Sequence, residues 1–308
     1  MDTLERASDS AVRAARWARS TGRPTGGIRP TRLIGRPASR HDLDISGSLI
    51  LMGLRQAVVR AKVHARRPLA RTPYLWDLAM YARPGKRATL ARPDSAIIID
   101  GYSRSGNTFS VAAFEVANGH APHVGRHLHG PAHILRGVRF ALPTVVLIRP
   151  PRDAVLSYLV RRDALTPDDA VLEYLDFYRT AWLARDGFVI GLFGRVVSDF
   201  GAVLDEVNER FGTSFVRYVP TPENEEAAFA RVEEMNRLEC GGVVVETHVG
   251  RPSQERTQRK DELRALLDRP RTAARLRQAE GLYEDYEQLA ISRLWRRRDD
   301  GATGPADS

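Results

Sequence analysis

The segment that most limits the fold of this chain is Gly101-Tyr102-Ser103-Arg104-Ser105-Gly106-Asn107-Thr108. It is preceded by Ser95-Ala96-Ile97-Ile98-Ile99-Asp100, a short apolar run that reads as a strand buried on both faces. It is followed by Phe109-Ser110-Val111-Ala112-Ala113-Phe114-Glu115-Val116, which has helical spacing. A strand, a glycine turn and a helix start in succession imply an α/β unit with a parallel sheet. Such a turn aims consecutive backbone N–H groups and the positive end of a helix dipole at one point, which suits an anion such as phosphate. The glycines and Thr108 match the phosphate loop G-x-x-x-x-G-K-[ST], but Asn107 takes the lysine position. Loss of the lysine that reaches the β- and γ-phosphates argues against nucleoside triphosphate chemistry. The cation has moved into the loop as Arg104.

A second anion cradle comes next. Thr144-Val145-Val146-Leu147-Ile148-Arg149 is another buried-strand pattern, and Pro150-Pro151-Arg152-Asp153 leads into a helix carrying Ser157 and Tyr158. A phosphate-loop nucleotidase would end this strand on an acid that helps hold Mg²⁺. Arginine there repels a metal and attracts an anion. Two cradles at the carboxyl ends of two strands suggest a nucleotide with phosphates at both ends. Arg152 and Asp153 read as a pair that caps the helix.

At these residues the chain resembles the cytosolic-type sulfotransferases, which use 3′-phosphoadenosine-5′-phosphosulfate (PAPS). Their 5′-phosphosulfate loop, Y-P-[KR]-S-G-[TN]-[TS]-[WF], corresponds to Tyr102-Ser103-Arg104-Ser105-Gly106-Asn107-Thr108-Phe109. Their 3′-phosphate motif, R-[DN]-P-[RK]-D-x-x-x-S-x-[YFW], corresponds to Arg149-Pro150-Pro151-Arg152-Asp153-Ala154-Val155-Leu156-Ser157-Tyr158, with Ser and Tyr contiguous. Ser103 stands for the usual proline and Arg104 for the common lysine, so a planar fork of donors replaces a point charge. The late Arg-Lys-Gly motif is absent, and Gly250, Arg251 and Ser253 are its nearest counterparts. The resemblance spans about residues 95–260. It implies a three-layer α/β/α fold with a central parallel sheet, the phosphate-loop-like sulfotransferase fold. It also implies PAPS as donor, 3′,5′-adenosine bisphosphate as product, and no required metal. The donor would be held by Ser103, Arg104, Ser105, Gly106, Asn107, Thr108, Phe109, Arg149, Ser157, Gly250, Arg251 and Ser253, and Arg104 would also act in catalysis.

Sulfuryl transfer needs a base for the acceptor proton, and histidine is the usual one near neutral pH. His120, His123, His127, His129 and His133 crowd one stretch. The family base lies in K-[ST]-H-x-P, on a strand between the two nucleotide motifs. His129-Gly130-Pro131 fits the H-x-P part, so His129 is the preferred base and His127 the alternative. Zinc would require three convergent ligands and an open position. Gly125, Gly130 and Pro131 interrupt any continuous helix, and Cys240 is the only cysteine. His120, His123 and His133 therefore read as structural.

The formal charge of +9 is uneven. Residues 1–92 hold 19 Lys or Arg against 6 Asp or Glu, and the remainder 28 against 32, giving +13 and −4. A basic leader (1–92), a sulfotransferase domain (93–298) and a disordered tail (299–308) are the expected divisions. Residues 11–20 suit a short helix. Residues 46–65 look amphipathic, either docked on the domain or in peripheral contact with an anionic membrane. No specific nucleic acid is expected, and the acceptor is a small molecule, lipid or saccharide. The lone cysteine, the charged amino terminus and the lack of a run of ~20 apolar residues predict a cytoplasmic protein, with membrane association at most peripheral. A helix is expected over Pro167–Arg185, with Tyr174, Leu175, Tyr178 and Trp182 used for packing. A strand-like run covers Gly187–Ser198, and helices are expected over Phe200–Phe211, 223–238 and 260–293. Two rival readings are a nucleotide kinase, disfavoured by Asn107 and Arg149, and a basic membrane- or nucleic-acid-binding protein without catalysis.

Overall fold

A computed structural model describes residues 54, 57–58, 60–62, 64–162, 164–239 and 254–302, and the side chains of these residues apart from 239, 254–259 and 297–302. The described residues all belong to the second of two units, Ile50–Ser308. The segment 11–20, most of 46–65, and Gly250, Arg251 and Ser253 lie outside the described residues.

Helical residues 64–71 lead into α1 (Pro73–Tyr81) and the short α2 (Pro84–Arg87). Then come β1 (Ile97–Gly101), α3 (Asn107–Asn118), β2 (Val124–Arg126), α4 (Pro131–Arg139), β3 (Thr144–Ile148), α5 (Pro151–Arg161) and α6 (Pro167–Trp182). The chain continues through β4 (Val189–Leu192), α7 (Phe193–Ser198), α8 (Phe200–Phe211), α9 (Pro222–Glu239), α10 (Gln254–Leu267) and α11 (Pro270–Ala302). The four strands are all parallel, in the order β2-β1-β3-β4. From β1 the chain steps outward to β2, then returns past β1 to β3. The order reverses at β1 and β3, and a crevice opens outside the carboxyl ends of strands at such a point.

Side-chain alternation builds the three layers. Ile97, Ile99, Val145 and Leu147 face α3, α8 and α9, burying Phe114, Val203 and Val232 among others. Ile98, Val146, Ile148 and Ile190 face α5, α6 and α11, with Tyr174, Tyr178 and Tyr286. Both faces of the sheet are covered, which is why these strands read as unbroken apolar runs. The aromatics of α6 are used as expected: Tyr174 and Tyr178 are fully buried, and Trp182 packs on Tyr286. A third cluster joins Trp76, Met80 and Leu90 to Leu128 and Ala132, so residues 64–91 of the expected leader pack onto the sheet domain.

Four expectations need adjustment. Gly187–Ser198 is only partly strand: β4 stops at Leu192 and Phe193–Ser198 is helix. Phe193 and Val196, three apart, both face Gly106, and that spacing belongs to a helix. The pattern over 260–293 is two helices, broken before Pro270, whose ring disfavours helical backbone in the preceding residue. The helix from Pro167 closes at Trp182, with a separate turn at Arg185–Gly187. Helix α11 runs to Ala302, past the point where the tail was expected to begin.

Candidate active site

The loop after β1 is shaped by its own residues. A Cβ on Gly101 would lie 2.2 Å from the Leu147 carbonyl oxygen, so only glycine lets β1 run this close to β3. Arg104 and Gly106 have φ of 72° and 93°, which turns the chain sharply into α3. Gly106 caps α3 without a side-chain hydrogen bond, leaving the first helical N–H groups to face the crevice. Asn107, in the lysine position, donates from Nδ2 to the Tyr102 carbonyl at 2.9 Å and ties the loop to itself. Its buried Oδ1 has no partner among the described residues. Ser105 does not reach the crevice with its hydroxyl: Oγ is fully buried, 3.2 Å from the Tyr178 hydroxyl, which donates to the Leu147 carbonyl. Only backbone at Ser105 can serve an anion.

The two cradles interlock. Arg149 Nη1 donates to the Arg104 carbonyl at 3.4 Å, and its guanidinium carbon stands 4.2 Å over the Phe193 ring. Arg104 Nε donates to Ser157 Oγ at 3.0 Å. Arg152, read as the partner of Asp153, instead pairs with Asp268 at 3.1 Å, because α5 turns it outward toward the end of α10. Asp153 lies in the first turn of α5, where a carboxylate suits the helix dipole.

The histidines separate into distinct roles. His129 does not lie on a strand, where the motif resemblance led one to expect it; it lies in the turn between β2 and α4, with φ of 48°. Its Nδ1 donates to the Gly101 carbonyl at 2.9 Å and lies 3.2 Å from Asp100 Oδ1. A carbonyl can only accept, so Nδ1 carries a hydrogen, and in the neutral ring the lone pair is on Nε2. His127 is buried behind it, with ring centres 6.0 Å apart, and its carbonyl accepts from Lys86. His133 is fully buried, donating from Nδ1 to Asp100 at 2.8 Å and accepting the Ala91 N–H at Nε2. His123 bridges Ser95 and the Ala88 carbonyl, and burial pushes its pKa down despite that carbonyl. His120 faces Glu115 at the surface.

Asp100 is the organising residue that sequence reasoning passed over as the last residue of an apolar strand. Fully buried, it accepts the N–H groups of Gly101, Leu128 and His129 and the Nδ1 hydrogen of His133, and lies 3.2 Å from His129 Nδ1. Burial alone would raise its pKa, but the adjoining His129 and His133 rings hold it far below the carboxylate range. Its one available sequence signal was a charge ending an otherwise apolar run, directly before the glycine loop.

These pieces line a single cavity of about 310 Å³. Ser103, Arg104, Gly106, Asn107, Thr108 and Phe109 form its floor, with His129 and Arg149 at the sides. Arg161 adds a third cation. The far wall, from α7 and α9, is Phe193, Val197, Phe229 and Val232, with Glu225, Glu233 and Asn236. That wall carries no motif, so the sequence offered no means of finding it. Neither His127 nor the Ser157 hydroxyl is part of the lining, although Ser157 reaches it through Arg104. Among the described residues, no group of three His, Cys, Asp or Glu is placed to hold a metal ion, and no helix is long and apolar enough to cross a membrane.

No protein-family model matches the chain, and neither does any curated protein. Among solved structures, it is similar to mouse sulfotransferase SULT7A1 complexed with PAP, at 14% identity and a TM-score of 0.33. The match covers 61% of this chain and 88% of that one.

Proposed function

We propose that this protein is a sulfotransferase that moves a sulfuryl group from PAPS to a hydroxyl, or less favourably an amine, of a small-molecule, lipid or saccharide acceptor. The observation that carries the reading is one cavity lined by Arg104, Arg149 and the ring of His129, whose Nδ1 is tied to Gly101 and Asp100. The donor set suits a bisphosphorylated nucleotide. Glycine backbone, the open start of α3 and two arginines all favour anions, while Phe109, Phe193 and Phe229 offer flat apolar surface to a base.

In this reading the loop N–H groups and Arg104, braced by Ser157, hold the 5′ end, and Arg149 the 3′ end. Bound PAPS supplies the activated sulfuryl group, whose bond to the bridging phosphate oxygen breaks as a bond from sulfur to the acceptor oxygen forms. His129 Nε2 takes the acceptor proton, while Asp100 and Gly101 keep its Nδ1 as the donor. Arg104 neutralises the electron pair that departs with the phosphate oxygen, the task a divalent cation has in many phosphoryl-transfer enzymes.

A thermal-shift comparison of 3′,5′-adenosine bisphosphate with AMP and ATP tests the donor assignment. Only the bisphosphate engages both cradles. At 100 times its dissociation constant it adds about 2.7 kcal/mol of stability. Equal shifts with all three nucleotides would remove the basis for PAPS.

A further inference from the structure

Helix α1 has two unlike faces. Inward, Trp76, Asp77 and Met80 are buried. The Trp76 ring lies where a Cβ on Gly130 would stand, 2.5 Å away, and Asp77 pairs with Arg136. Outward, Tyr74, Leu75, Leu78 and Tyr81 are 72%, 54%, 70% and 44% exposed. At about 100° per residue these four fall on one arc of the helix. Single exposed apolar side chains are ordinary, but a stripe of four large ones on one helix marks an interaction surface.

The stripe has a cationic border. Arg139 stands over the Tyr74 ring at 5.0 Å and Arg87 over Tyr81 at 5.7 Å. Arg83, Lys86 and Arg87 lie on or beside α2, every residue of which is exposed. From Arg66 to Arg92 the sequence has seven basic residues and one acid, the buried Asp77. Arg67 and Arg71 are matched by Asp176, and Arg92 by Asp94, while Arg83, Arg87 and Arg139 are exposed beside the stripe.

We propose that the outer face of α1, bordered by Arg83, Lys86, Arg87 and Arg139, docks on a membrane leaflet that carries anionic lipid. Charge complementarity selects this occupant. A second copy across a two-fold axis would set one basic border against another, whereas acidic headgroups would neutralise it. The composition also suits an interface: leucines enter the acyl boundary, tyrosines sit at headgroup level, and arginines reach back toward phosphate. Because the opposite face of α1 packs on Gly130, docking sets the His129 turn roughly one helix diameter, about 10 Å, from the headgroups. The docking does not depend on the sulfuryl-transfer reaction.

Sedimentation of the full chain with vesicles of phosphatidylcholine alone, and of phosphatidylcholine mixed with phosphatidylserine, provides the test. The protein should bind the mixed vesicles, fail to bind the neutral ones, and be released by added salt. Tyr74→Ser with Leu78→Ser should lower the partition coefficient about tenfold or more. Arg83→Gln, Arg87→Gln and Arg139→Gln together should lower it about a hundredfold. Leu78→Trp should raise it, and an unchanged far-ultraviolet spectrum and thermal midpoint would show that each variant is folded. The proposal is overturned if wild-type protein ignores the mixed vesicles, or if the serine variant binds them as well as wild type does. It is also overturned if size exclusion shows a dimer that the serine variant splits.

Discussion

The loop after β1 and the turn after β2 leave the same end of the sheet and line the same cavity, yet different forces hold them. The first is shaped from within. Gly101 allows the close approach to β3, Gly106 takes the left-handed bend, and Asn107 bonds a carbonyl five residues back. The second is shaped from outside. His127 and His129 both have positive φ without being glycine, and their conformation rests on Asp100, Lys86 and the Trp76 ring under Gly130. Arg66 adds a further bond to the Leu128 carbonyl. A glycine loop can thus be written in eight consecutive residues, whereas the His129 turn needs residues drawn from four separate elements.

Four tests would break or sharpen this contrast, beginning with the largest effect. His129→Ala should reduce sulfuryl transfer by about 10²–10⁴-fold while 3′,5′-adenosine bisphosphate binds nearly as before. Steady-state kinetics beside calorimetric titration separates the two, and retained turnover would move the base elsewhere. Next, Asp100→Asn removes the charge facing two histidines in a fully buried site and should destabilise the chain by about 3–5 kcal/mol. Asp100 has a folded pKa below its ordinary value of 3.8, so its stabilisation is complete above that value and fades as pH falls toward the folded one. The variant lacks that component, so its denaturation midpoint should change less than wild type's below about pH 4. A wild-type-like acid profile would deny Asp100 its role.

Arg149→Ala comes third. Loss of its charge-assisted contact should weaken bisphosphate binding by about 1.5–3 kcal/mol with the fold unaffected, read by titration. Unchanged affinity would place the 3′-phosphate elsewhere. The smallest pair compares the two turns directly. Gly130→Ala would push a methyl into Trp76 and should cost about 1–3 kcal/mol of stability by overpacking. Gly106→Ala meets Phe193 and Val196 at ordinary contact distances of 3.4 and 3.7 Å, so its cost is backbone strain of about 1–2 kcal/mol. Thermal melts of both, with Trp76→Phe added to each, should show recovery for the Gly130 variant alone. Recovery of both, or of neither, would mean that the turns are not held as differently as described.

The rest of the molecule divides along the same line. Strands β1 and β3 could be read from sequence because burial on both faces leaves a continuous apolar run. Helix α8 could be read because Gly212, with φ of 64°, ends it. The break at Leu192 could not, since Phe193-Gly194-Arg195-Val196-Val197 is apolar enough for a strand and becomes helical through its packing on Gly106. Nor could the α9 wall, whose apolar residues resemble those of any helix packed on a sheet.

What the sequence determined unaided was the local chemistry: a parallel α/β sheet, a glycine loop with arginine inside it, and a second arginine ending a neighbouring strand. These follow from backbone geometry and side-chain alternation within a few residues of chain, and such short-range rules survive any global arrangement. Only the tertiary structure decided that Asp100 orients His129, that both arginines line one cavity, and that α1 turns an apolar stripe outward. Those outcomes join residues 28 to 59 positions apart, and burial and distance between such residues are properties of the folded chain alone.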